Sequence, residues 1–168
     1  IDWRSADRRG NVGLTYFTQD FTNLITFSFA AGGYENIAQA ETEGVELDLG
    51  YQLTQWLRMD ASYAWIDAED DTGQQLVRVP EHSADLQLSI SPNERLNVNL
   101  LMRYNDEEAD ANGEVASWTR VDVSANYRIS NQLSAFMRVE NLLEEDYQQI
   151  LGYGTPDLAV FGGVRLSF

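Results

Sequence analysis

The side chains best equipped for chemistry lie in two acid-rich runs, Asp67-Ala68-Glu69-Asp70-Asp71 and Asn105-Asp106-Glu107-Glu108-Ala109-Asp110. Hard cations take several oxygen ligands, so calcium binding is the chemistry these runs invite. Neither run follows the spaced EF-hand pattern with its closing glutamate, and solvated acidic loops are the plainer expectation. His82 is the only histidine, which removes any multi-histidine site within the chain. There is no cysteine, hence no disulfide framework, thiolate zinc site or cysteine nucleophile. No Gly-x-Ser-x-Gly elbow accompanies the serines, and no Ser-His-carboxylate grouping follows from the spacing. The Gly-Gly pairs at 32–33 and 162–163 are not phosphate loops; the first suits a turn, the second a curved or closely approached strand. No catalytic residue, cofactor or metal is expected, so the chain does not read as an enzyme.

The elements that position these residues alternate with period two, and helical spacing is nowhere sustained. Leu96, Val98, Leu100, Met102 and Tyr104 oppose Asn97, Asn99, Leu101 and Arg103. Val121, Val123, Ala125, Tyr127 and Ile129 oppose Asp122, Ser124, Asn126 and Arg128, and Leu57, Met59, Ala61, Tyr63 and Trp65 form another such stripe. Val45 to Tyr51 and Ala84 to Ile90 repeat the pattern. About eight full strands are expected, with Ile1–Arg4 as the stub of an earlier one. In the first long strand Val12, Leu14 and Tyr16 alternate but Phe17, Phe21, Leu24 and Ile25 break the pattern, which predicts a bulge.

Short polar turns (Ser5–Asn11, Leu53–Trp56, Ser91–Arg95, Ser130–Gln132) alternate with longer acidic or Gly-rich connections near Ala30–Tyr34, Ala68–Glu81, Asn105–Ser117 and Glu144–Pro156. Tight turns on one side and long loops on the other are the layout of an antiparallel transmembrane barrel. No run approaches the roughly 18 apolar residues of a membrane helix, but a spanning strand needs only about 9–11 residues, half of them apolar. The mean hydropathy of -0.36 is compatible with a polar inner face. Tyr63, Trp65, Tyr104 and Trp118 fall near the long-loop ends, and Tyr51, Trp56 and Tyr127 near the short-turn ends. Two interfacial aromatic girdles are therefore expected, although the parity of Trp118 points it inward unless a bulge intervenes. Arg58, Asp60, Asp85, Arg103, Arg120, Asp122, Arg128, Arg138, Glu140 and Arg165 fall on the inward face, where cross-strand pairing is expected. The formal charge of -16 argues against a nucleic-acid partner.

Asn141-Leu142-Leu143 running through three acids to Tyr147, Gly152-Tyr153 shortly before Pro156, and Arg78-Val79-Pro80-Glu81-His82 resemble motifs of TonB-dependent outer-membrane receptors, particularly the cobalamin and siderophore branches. Asn141-Leu142-Leu143-Glu144-Glu145-Asp146-Tyr147 is similar to the family's Asn-Leu-(Phe/Leu)-acid-x-x-Tyr segment, and Gly152-Tyr153-Gly154-Thr155-Pro156 to the Gly-Tyr-x-x-Pro of its last external loop. Where the family continues Gly-Arg, this chain has Asp157-Leu158. Glu35-Asn36-Ile37 with Glu43-Gly44-Val45-Glu46-Leu47, and Arg78-Val79-Pro80-Glu81-His82, resemble two further strand motifs. Gly163, Leu166 and Phe168 match the spacing of the family's barrel-assembly signal, with Phe161 where a polar residue is more usual.

The resemblance implies that residues 1–168 are the carboxy-terminal segment of a receptor barrel of about 22 strands, roughly its last third, without the plug domain. It implies residence in the Gram-negative outer membrane and uptake of a siderophore–iron complex, cobalamin or similar large nutrient, energised through TonB. The implied partners are outer-membrane lipid and lipopolysaccharide, the plug and remaining barrel strands, the TonB complex through the missing amino-terminal part, and the outer-membrane insertion machinery. Tyr34, Gln74, Asn112, Tyr147 and Tyr153 are the implied ligand contacts. A self-contained eight-stranded outer-membrane barrel with a structural or adhesive role is the alternative. An acyl-hydrolase barrel would need a Ser-His pair, and a soluble β-sandwich would need no detergent.

Overall fold

The computed structural model describes residues 1–28 and 31–168, and every regular element in it is a β-strand. In chain order these are β1 (Asp2–Arg4), β2 (Gly10–Ser28), β3 (Gly33–Gln52), β4 (Leu57–Asp70), β5 (His82–Asn93), β6 (Leu96–Asn105), β7 (Glu108–Asp110), β8 (Gly113–Val115), β9 (Trp118–Arg128), β10 (Leu133–Glu140) and β11 (Ala159–Leu166). One nine-stranded sheet runs β1-β2-β3-β4-β5-β6-β9-β10-β11, and β7 and β8 form a separate hairpin inside the β6–β9 connection. All pairings are antiparallel between neighbours in sequence, apart from that insertion. The eight full strands and the stub match the expectation from periodicity.

Register turns the alternation of single strands into continuous stripes. Tyr51, Met59, Leu88, Leu100, Val123, Val139 and Val160 are successive cross-strand partners from β3 to β11. A second row runs Leu57, Ile90, Val98, Ala125, Met137 and Gly162. The opposite face carries rows such as Gly13, Asp48, Ser62, Asp85, Arg103 and Arg120. A sheet with continuous apolar rows on one face and polar rows on the other fits lipid outside and a polar lumen inside. Among the described residues β1 and β11 do not pair with each other, so the sheet is open rather than a closed eight-stranded barrel.

The break in the first long strand has a different cause from the expected bulge. β2 and β3 hold one register from Gly10↔Tyr51 to Ser28↔Gly33, omitting only the Asn23 position. Asn23 takes a left-handed backbone (φ 60), a conformation Asn tolerates better than most residues, without shifting the ladder. The hydrophobic parity changes instead. Val12, Leu14 and Tyr16 share the outer face, whereas Phe17, Phe21 and Ile25 lie on the inner one. Beyond Tyr16 the outer face becomes acidic: Asp20, Glu41 and Glu69 are successive partners, as are Glu43 and Asp67. Of the connection expected near Ala30–Tyr34, Ala30 lies outside the described residues. The remainder is a turn at the tip of two long paired strands rather than a long loop. A true irregularity lies elsewhere, between Ile90 and Asn93 where β5 meets β6.

Candidate functional site

The long connections are built from residues whose polar groups reach far along the chain. Asn141 ends β10 with a left-handed backbone (φ 52) and is 1% exposed. Its amide N–H donates to Asp122 Oδ1 (2.9 Å), and its Oδ1 accepts the Glu145 N–H (2.9 Å). Its Nδ2 donates to the carbonyls of Glu145 (2.9 Å) and Pro156 (3.3 Å). One short amide side chain thus satisfies both ends of the loop it opens, the local bonding for which Asn is favoured in turns. Tyr147 then folds back onto Trp118, with ring centroids 4.8 Å apart, and its hydroxyl accepts a bond from Arg120 Nη1 (2.9 Å). The Tyr147 carbonyl accepts the Thr155 hydroxyl (2.7 Å), which ties the far side of the loop to its start.

Asp110, at the end of β7, receives bonds from three directions. Arg78 donates from Nη2 (3.0 Å) and Nε (3.3 Å) to Oδ1, the Ala111 N–H reaches the same oxygen (2.6 Å), and the Leu151 N–H reaches Oδ2 (2.8 Å). The Arg78 amide also donates to the Ala109 carbonyl (2.8 Å). The Asp110 side chain is 4% exposed, against 46% for Arg78. These donors, the Leu151 N–H first, hold the Asp110 carboxyl below its ordinary titration range, while burial pushes neighbouring Glu108 above its own.

The candidate ligand contacts from the sequence divide into two groups. Tyr34 and Tyr153 are open (80% and 70% exposed), and Gln74 and Asn112 lie exposed at turns. Tyr147, by contrast, is 5% exposed and pinned between Trp118 and Arg120, where it fastens the loop. Trp118 is not a girdle residue: it pairs with Asn105 on the polar face and is buried under Tyr147. Its ring nitrogen has no acceptor among the described residues, so packing alone positions it. Register places Tyr51, Tyr63, Trp65, Tyr104 and Tyr127 on the apolar face, and Trp56 sits in the β3–β4 turn. Several of these rings aim their polar tips at neighbours beyond the apolar stripe. Trp65 Nε1 donates to Glu81 (3.1 Å), the Tyr104 hydroxyl donates to Asp106 (3.0 Å), and the Tyr63 hydroxyl meets His82 Nδ1 (2.8 Å).

Two carboxylates of the acid runs, Asp70 and Asp106, accept bonds from their own turns. Asp70 accepts from the amides of Thr72 and Gln74 and from the Thr72 hydroxyl, and the Glu107 N–H donates to Asp106. Among the described residues no grouping of His, Asp or Glu is arranged to hold a metal ion. On the polar face, Arg58–Asp60, Arg120–Asp122 and Arg138–Glu140 pair two positions apart on one strand. Arg103–Asp85 and Arg120–Glu140 bridge strands, so the charge ladder is as much along strands as across them. Phe161 lies under the Arg138 guanidinium, 4.7 Å from its carbon, which gives an aromatic a place on this polar face.

Residues 1–142 match the family model described as TonB dependent receptor-like, beta-barrel. The chain belongs to the TonB-dependent receptor family. It is 32% identical over 136 residues to the vitamin B12 transporter BtuB of Photobacterium profundum, covering 79% of this chain and 22% of that protein. It is 29% identical over 157 residues to the metal-pseudopaline receptor CntO of Pseudomonas aeruginosa, covering 83% of this chain and 22% of the relative. This TonB-dependent receptor chain therefore spans about a fifth of the length of the curated relatives it matches. Two solved structures share its fold: the copper transporter OprC (TM-score 0.81, 18% identity, 99% of this chain and 30% of that one) and the E. coli ferric-catecholate import receptor Fiu (0.79, 20%, 99% and 26%). The sheet is thus a fragment of a larger barrel from a family of Gram-negative outer-membrane transport receptors, not enzymes.

The sequence did not single out Asp110 as a node or Asn141 as a clamp. Asn141 stood in a recognised motif whose role needed the loop geometry. Asp110 carried no local signal, because Arg78 and Leu151 are 32 and 41 positions away.

Proposed function

We propose that this chain is the carboxy-terminal part of the barrel of an active transporter that imports a siderophore–iron complex, cobalamin or a similar large nutrient, driven through the TonB complex. The observation that carries the reading is the two-faced open sheet, matched to the receptor-barrel model over residues 1–142. The apolar face meets outer-membrane lipid and lipopolysaccharide, with Tyr51, Trp56, Tyr63, Trp65, Tyr104 and Tyr127 at the interfaces. The charged face, led by Arg103, Arg120, Asp122 and Glu140, meets the plug domain. Tyr34, Gln74, Asn112 and Tyr153 are the exposed candidates for ligand contact, and Gly163, Leu166 and Phe168 those for the insertion machinery.

Uptake tests the reading in the source strain. The gene encoding the full polypeptide is deleted, and entry of radiolabelled cobalamin and of iron loaded on a panel of siderophores is followed with and without functional TonB. Loss of one TonB-dependent uptake activity, restored by the intact gene, is expected. Unchanged uptake of every probe overturns the assignment of substrate class. An antibody to residues 107–118 should also detect an outer-membrane polypeptide several times heavier than the 19.0 kDa of this chain.

A further inference from the structure

We propose that Asp110 is a positioning residue that makes three external connections move as one body: the 71–81 loop, the β7–β8 hairpin and the 141–158 loop. Its carboxylate is the point where they meet. One oxygen holds the Arg78 guanidinium and the Ala111 amide; the other holds the Leu151 amide. A carboxylate offers acceptor sites on both oxygens and no proton, which a set made only of donors requires. Neutral side chains cannot reproduce it: an amide places an NH2 group against one of the arms.

The two arms are separate and each has a second anchor. On one side the Arg78 amide bonds the Ala109 carbonyl (2.8 Å), and the Arg78 backbone is left-handed (φ 62), an uncommon state for a non-glycine residue. On the other side the Leu151 side chain lies against the hairpin turn, with Cδ2 3.0 Å from where a Gly113 β-carbon would stand. The 141–158 loop is itself fastened by Asn141, Tyr147 and Thr155. Exposed Asn112 and Tyr153 consequently keep a fixed spacing, and a solute that displaces one displaces the other. The inference rests on the reading that these connections face outward, but its test does not depend on which nutrient is carried.

The experiment uses the full-length receptor in detergent, with nitroxide pairs on introduced cysteines at positions 77 and 112 and at 112 and 153, read as spin–spin distance distributions. In the parent protein both distributions are narrow. Arg78→Ala broadens the 77/112 distribution alone, Leu151→Pro, which removes the amide donor, broadens 112/153 alone, and Asp110→Ala broadens both. Heat-modifiable migration on gels serves as the control that each variant is folded. If Asp110→Ala fails to insert, the two single-arm variants still decide the matter. Narrow distributions in Asp110→Ala, or equal broadening of both pairs by either single-arm variant, overturn the proposal.

Discussion

Residue-scale constraints are sharpest where a side chain has no room to be anything else. A β-carbon on Gly44 would stand 2.6 Å from both Phe17 Cζ and the Trp65 carbonyl oxygen, and the latter is backbone that cannot step aside. Gly44→Ala should cost about 1–3 kcal/mol through overpacking. At Gly50 the nearest atoms are the tips of Asn11 and Arg58, so Gly50→Ala should be the milder change; denaturant unfolding of the two variants checks the order. Asp110 gives a pH dependence with a definite sign. Its folded titration range is depressed, so its contribution is fully present above the unfolded value of about 3.9 and is lost as pH falls through the lower folded value. Glu108 runs the other way: burial raises its range, so its charged form opposes folding near neutrality and is relieved as pH drops through that raised range. Protease resistance of the 108–115 hairpin should therefore survive mild acid and fail only below about pH 4. Loss of resistance at pH 5 to 6 would contradict this assignment of the two carboxyls. Tyr147→Phe keeps the ring on Trp118 and removes only the Arg120 bond, so it should loosen the 141–158 loop by about 1 kcal/mol, less than Tyr147→Ala does. Hydrogen exchange at the amide of Glu145 reports that difference.

For the strands, most of the architecture was legible because period-two alternation is a direct imprint of a two-faced sheet. Val98, Leu100 and Met102 gave the face of β6, and register later joined them to Ala125, Val123 and Val121. What could not be read was any feature set by a partner far away in the chain. Phe17 and Phe21 looked like a slipped register, but the ladder runs through them unshifted and only the environment changes sides. Trp118 sits at a strand end like a girdle ring, and its parity pointed it inward, where it lies; the Tyr147 ring that covers it there could not be read. The short β7–β8 hairpin, whose first strand lies in the second acid run, was hidden because three-residue strands carry almost no periodic signal. The change along the outer face, from apolar to acidic, makes a direct prediction. Leu88→Arg, in the middle of the seven-strand apolar row, should destabilise the inserted receptor by about 2–4 kcal/mol, whereas Glu41→Arg should not. Glu41 lies between Asp20 and Glu69, where a positive charge relieves like-charge contacts. Equilibrium unfolding in lipid vesicles distinguishes the two, and equal losses would mean the upper limit of the lipid-facing zone on the outer face is misplaced.

At the scale of the whole molecule, the nine-stranded sheet ends, among the described residues, in two unpaired edges, β1 and β11. Unsatisfied backbone groups are costly in lipid, so the isolated chain should aggregate rather than form a stable insertion-competent species. A detergent-soluble, heat-modifiable monomer of this chain alone would contradict that. The β2–β3 hairpin adds a different kind of information. Its strands of 19 and 20 residues are about twice the length needed to span the membrane. The apolar side changes hands between Tyr16 and Phe17, and the acidic rows begin on the outer side just beyond. That point works as a depth gauge written into the chain. Material added beyond it in residue pairs, one pair on each strand, lengthens the projection and leaves immersion untouched. A single residue added to one strand below it turns that strand's apolar stripe toward water, so insertions should be tolerated or rejected by their parity and their side of this line.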